Sequence, residues 1–235
     1  MYPNTSQITL AQARQEASSI FLAKVFNWMA MGLGLTGFIA YFTAASGLSQ
    51  AIVASPLFMV LIFVELGLVF YLSARIEKIQ ASTAAGLFIG YSALNGLTLS
   101  TVFLAYTSSS IAGTFFITAG MFGAMALYGL VTKRDLSGLG SFLFMGLIGI
   151  IIASLVNLFL RNSGLDWIIS FLGVGIFTGL TAYDVQKIKR MGEEGILEQG
   201  EAAVKKGSIL GALALYLDFI NLFLMLLRFF GGSRD

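Results

Sequence analysis

Residues 214–230 read ALYLDFINLFLMLLRFF, a run in which almost every side chain belongs in hydrocarbon, yet Asp218 stands near its middle. With the apolar residues just upstream, the run is long enough to cross the roughly 30 Å hydrocarbon layer as a helix. An ionised side chain at that depth costs about 2.5–3.5 kcal/mol on insertion scales, and it persists by pairing, by protonation or by facing water. What the rest of the chain offers this aspartate decides both the fold and the function.

The composition places the whole chain in the membrane. Of 235 residues, 57% are hydrophobic and 11% charged, where a soluble domain has roughly a quarter charged. Seven apolar segments lie at about 25–45, 56–73, 83–106, 111–131, 139–160, 165–184 and 208–230. They predict an all-α protein of seven transmembrane helices, since membrane β-strands would show as short alternating segments. Residues 1–24 form a polar N-terminal segment, 25–231 one transmembrane domain and 232–235 a short tail. The first apolar run is too long for a signal-peptide core and reads as a retained span. The one long connection, 185–208, is charged and predicts a water-facing loop that can include a short surface helix.

Cysteine and histidine are both absent. Disulfides, thiolate metal sites, Ser-His and Cys-His catalysis, ordinary zinc and haem sites, and the usual physiological pH switch are thereby excluded. No cofactor is expected. A formal charge of +2 is too small to suggest nucleic acid. The basic residues instead set orientation. Arg14, Lys24, Arg75, Lys78, Lys133, Arg134 and the five lysines and arginines of 187–206 fall on one side of seven spans, whereas Arg161, Arg228 and Arg234 fall on the other. The N-terminus is therefore expected in the cytoplasm and the C-terminus in the periplasm.

Stepping along the last span by three and four residues collects Gly207, Gly211, Ala214, Asp218, Asn221, Met225 and Arg228 on one stripe, with leucines and phenylalanines on either side. Asp218 then points into the bundle. Its candidate partners are Asp184, ending the sixth span, Glu65 inside the second, and Arg75 closing the second. Asp218 lies some 15 Å into its helix at about 1.5 Å per residue. Contact with Asp184 therefore requires the helix of YDVQKIKRM to continue beyond the membrane. Asn95, Asn157 and Asn221 read as interhelical hydrogen-bond glue, and glycine pairs such as Gly86 and Gly90 as close-packing positions. NGLT at 95–98 and TGLT at 178–181, in oppositely directed spans, hint at an inverted repeat.

The stretches GLTAYDVQKIK (179–189), SILGALALYLDFINLFLMLLRFFG (208–231), YSALNGLTLS (91–100) and TAGMFGAMALYGLVTKRDLSG (118–138) closely resemble the Bax inhibitor family of small multispan membrane proteins, on its bacterial branch. The resemblance runs from about residue 20 to the end. It implies a seven-helix fold with the C-terminal helix central in the bundle, in the bacterial inner membrane, and a pH-sensitive calcium leak. It also implies that an aspartate pair, here Asp184 and Asp218, is the pH sensor and gate, with Arg75 as the match to an arginine that helps hold it. Two carboxylates forced together in a low dielectric cannot easily both ionise, so they tend to share one proton. Calcium takes several oxygen ligands; Asp184, Asp218, Glu65 and Asn221 are the donors available, and the three acids could form a transient calcium site on the ion's path.

Two other functions compete. Intramembrane aspartyl proteases also pair aspartates on a sixth and seventh helix, but they use a glycine-rich GxGD and a later PAL segment. Asp218 follows Tyr216 and Leu217, and no proline follows Pro56, so an enzyme is not expected. The stronger rival is a protein without transport of its own that binds and restrains a membrane-protein partner, such as a quality-control protease.

Overall fold

In the computed structural model, residues 5–232 are described. The chain is helical, with no strand among those residues: α1 (Thr5–Ala45), α2 (Leu48–Val53), α3 (Leu57–Arg75), α4 (Ala81–Leu99), α5 (Val102–Ala105), α6 (Ser108–Val131), α7 (Ser137–Leu160), α8 (Ser163–Glu193), a 3-10 turn at Ile196–Gln199 and α9 (Glu201–Phe230). Among the described residues seven segments are long and apolar enough to cross a membrane, one for each predicted span. Their outer faces carry exposed large apolar side chains such as Phe70, Phe116, Val131 and Phe159, a surface suited to lipid rather than water. The protein is an all-α, multi-pass membrane protein. The expected tail residues 233–235, with Arg234, and residues 1–4 lie outside the described residues.

The helices overrun the predicted spans mostly on the polar side. α1 starts at Thr5, about one-half of its length before the predicted first span, and packs by Ser18, Phe21 and Val25, all buried. The expected water-facing loop at 185–208 is different in kind. α8 continues to Glu193, α9 begins at Glu201, and Ile188, Ile196 and Val204 are buried. These apolar residues, thinly spaced among charges, give the segment a face to pack. Gly195 and Gly200 make its two turns at φ of 88° and 91°, where a side chain would be strained.

The chain divides into two compact units, residues 1–105 with 187–214, and residues 106–186 with 215–235. In the first, α1 and α4 come close enough that a Cβ on Gly96 would meet the Thr36 carbonyl and Ile39 Cβ at 2.8 Å. Thr36 Oγ1 donates to the Ser92 carbonyl at 2.8 Å across the same seam. Small residues here serve backbone approach and an interhelical hydrogen bond, the usual means of association where lipid removes a hydrophobic drive. Gly86 and Gly90, expected to do the same, have nothing within 4 Å of an added Cβ.

The second unit is built around the N-terminal part of α8 and the C-terminal part of α9, with α6 and α7. A core of Leu143, Ile150, Ile169, Phe177, Leu180, Leu222 and Leu226 joins α7, α8 and α9. Phe219 lies between Phe115 and Phe122 of α6, edge-on at 5.4 and 5.5 Å. The apolar stretch of α9 is 67% buried, where none of the other six exceeds 39%. Leu213, Leu215, Leu222 and Leu227, on different faces of the helix, are all essentially inaccessible. Of the seven spans among the described residues, the last is thus the most deeply buried.

Candidate functional site

Asp184 lies inside α8, two and a half turns before its end, because the helix continues as the depth of Asp218 requires. The backbone around it is fixed from three directions. The Ala182 carbonyl lies against Gly129 of α6, where a Cβ would collide with it, and the Tyr183 ring fills the space over Gly140 of α7 at 2.5 Å from an ideal Cβ. Gln186 completes the clamp. Its Nε2 donates to the Arg134 carbonyl at 2.8 Å, and its Oε1 accepts from the Leu136 amide at 2.9 Å. Alanine or anything larger at Gly129 or Gly140 would push α8, and Asp184 with it, off this position.

Asp218 is only 4% exposed. Its neighbours Tyr216 and Phe219 are buried as well, so the rotation of α9 is set by large side chains that cannot turn toward lipid without losing their packing. The Asp218 carboxyl is hydrogen-bonded to the carboxyl of Asp184, while its Oδ2 is buried without a hydrogen-bond partner. A carboxylate oxygen only accepts, so a hydrogen bond between two carboxyl groups needs a proton on one of them. The structure thus brings together the two aspartates that the sequence singled out.

Glu65 has a separate setting, within the first unit. Its Oε1 accepts from Thr98 Oγ1 at 2.9 Å and its Oε2 from Asn95 Nδ2 at 3.2 Å. The first and last residues of NGLT, one helical turn apart on α4, therefore hold both oxygens of the glutamate. Among the described residues no three acidic side chains are gathered so that they could hold a metal ion. Of the expected set of Asp184, Asp218 and Glu65, the two aspartates share a hydrogen bond, and the glutamate is held by an amide and a hydroxyl. Arg75 is exposed at the end of α3, and its side chain makes no ion pair or hydrogen bond among the described residues. Its expected part in holding the pair rests on the resemblance alone.

The asparagines divide. Asn95 is interhelical glue as expected, with Glu65 as its partner. Asn157 instead closes its own helix end, exchanging hydrogen bonds with the Asn162 backbone at 3.0 and 3.1 Å, and Asn221 donates to the Leu217 carbonyl one turn back on α9. A short amide side chain near a helix end or over its own carbonyl finds a local partner before a distant one. Sequence reasoning missed Gln186, whose partners lie fifty residues away, and Thr98, although both sit in motifs that were picked out. It also missed the far end of α9, where Arg228 approaches Asp166 at 3.7 Å and donates to Ser170 Oγ at 3.3 Å.

Comparison with known proteins follows the same residues. The family described as "Inhibitor of apoptosis-promoting Bax1" matches residues 18–235. The inner membrane protein YbhL of Escherichia coli is 51% identical over 99% of both chains. A protein of Borreliella burgdorferi is 50% identical over 97% of this chain and 99% of its own, and one of Deinococcus radiodurans 45% identical over 98% and 96%. With a family match that takes in every span and both aspartates, the chain belongs to the Bax inhibitor family.

Proposed function

We propose that the protein is a pH-sensitive calcium leak of the inner membrane, held closed by Asp184 and Asp218 sharing one proton. The observation that supports it is the hydrogen bond between two carboxyl groups at a buried position on two membrane-spanning helices. Removing the proton leaves like charges in contact where the dielectric is low and their repulsion large. Adding a second proton removes the charge that makes the hydrogen bond strong. Either change loosens the link between α8 and α9. Oxygens of Asp218, Asn221 and Asp184 offer calcium a weak and passing site, which is what conduction needs. Glu65 serves as a second acidic point on the route.

Purified protein in liposomes loaded with a calcium indicator tests this directly. Flux that varies with pH and needs no second protein is the expected result. Absence of flux at every pH would return the function to restraint of a partner membrane protein. The proposed orientation, N-terminus in the cytoplasm, is checked by reporters inserted near Gly195 and fused after Asp235, which should report from opposite sides of the membrane.

A further inference from the structure

The polar stripe of α9 continues past the aspartate pair, and α8 runs antiparallel against it. Asp184 meets Asp218, Gly173 meets Met225 and Ser170 meets Arg228. Between the first and second of these contacts lie Asn221 and Thr178. Thr178 Oγ1, like Asp218 Oδ2, is a buried oxygen without a hydrogen-bond partner. Beyond the second contact opens a pocket of about 380 Å³ lined by Ser170, Asp166, Arg228 and three aromatic rings. Polar groups thus stand on both sides of one apolar contact. There the Met225 side chain occupies the space a Cβ on Gly173 would need, with Cγ at 2.9 Å and Sδ at 3.0 Å from that point, and it rests on the apolar core beside Leu222 and Leu226.

We propose that Met225, seated in the notch of Gly173, is an apolar plug between the buried Asp218, with its stripe neighbour Asn221, and the pocket at Ser170 and Arg228. Buried polar atoms are normally satisfied, so the unpartnered Oδ2 of Asp218 marks a place that water or an ion would solvate if admitted. A narrow apolar constriction excludes both by remaining dry. Methionine suits the part because it is unbranched and changes rotamer readily, and glycine opposite leaves it room without a wall of side chain. The purpose given to the plug rests on the proposed leak, but its existence is a matter of water access and can be tested without calcium.

The chain has no cysteine, so single thiols can be read cleanly. Asn221→Cys is placed in the native background and together with Met225→Ala, Met225→Leu or Gly173→Ala. Each protein is reconstituted in liposomes and treated with a charged, membrane-impermeant methanethiosulfonate on the face that labels Ser163→Cys, a pocket residue. The thiol of Asn221→Cys should be protected with Met225 or Met225→Leu, and should react with Met225→Ala and with Gly173→Ala, whose Cβ displaces the methionine. Leu222→Cys, fully buried, should stay unreactive in all four backgrounds, which separates removal of the plug from unfolding. Reaction at Asn221→Cys with Met225 in place, protection that survives Met225→Ala, or reaction at Leu222→Cys alongside it would overturn the proposal.

Discussion

Glu65 and Asp218 are both acids on membrane-spanning helices, and the two units treat them oppositely. In the first unit an amide and a hydroxyl offer donors to both glutamate oxygens. In the second, the aspartate's partner is another carboxyl, and one oxygen is left without any. The donors to Glu65 carry no titrating group of their own, whereas the partner of Asp218 is itself an acid, so only that pair couples two proton equilibria. Two acids in membrane-spanning helices thus meet partners of different chemistry in the two units.

The largest expected effect comes from making the second region resemble the first. Asp184→Asn and Asp218→Asn each replace a titrating partner by an amide of similar size, and each should abolish most of the pH dependence of calcium flux in liposomes. The double variant should add little, because two residues forming one switch are not additive. Glu65→Gln should change the size of the flux but leave its pH dependence intact. An equal loss of pH response in Glu65→Gln would erase the distinction between the two sites.

Gln186→Leu comes next. It removes the side chain that satisfies the Arg134 carbonyl and the Leu136 amide, and orphaning a buried backbone group costs about 1–3 kcal/mol. Unfolding in mild detergent should show a loss of about that size, and the pH response should be blunted because Asp184 lies two residues away on the same helix. A loss of stability with an unaltered pH response would show that the clamp does not position the aspartate.

Thr98→Val should be milder. Interhelical hydrogen bonds in membranes are worth about 0.6 kcal/mol on average and about 1.7 at most, and Asn95 would still hold Glu65. Stability should fall within that range in the same detergent assay, with the flux profile against pH unchanged.

The smallest effect is expected at the far end of α9. Arg228 and Asp166 are about half exposed, at 47% and 56% for their side chains, and 3.7 Å apart, the kind of pair worth about 0–1 kcal/mol. Arg228→Gln should therefore change stability by less than about 1 kcal/mol. A larger loss would mean that this pair, and not the aspartates, ties α8 to α9.

Seven runs of apolar residues, broken by turns and charges, were enough to determine an all-α membrane protein and the approximate limits of its spans, because hydrocarbon demands that each crossing segment satisfy its own backbone. The depth of Asp218 within its run was enough to mark it as a residue needing a partner. The helices at 185–193 and 201–208 were hidden in a charged stretch, since Ile188, Ile196 and Val204 form a face only when other helices supply the surface against it. Which of its three candidate partners Asp218 meets, the donors to Glu65 and the seat of Met225 were decided by tertiary structure. Each depends on helix rotation and register, and these are set by where Tyr183 finds Gly140, Ala182 meets Gly129 and Phe219 fits between Phe115 and Phe122, contacts between residues that lie tens of positions apart in the chain.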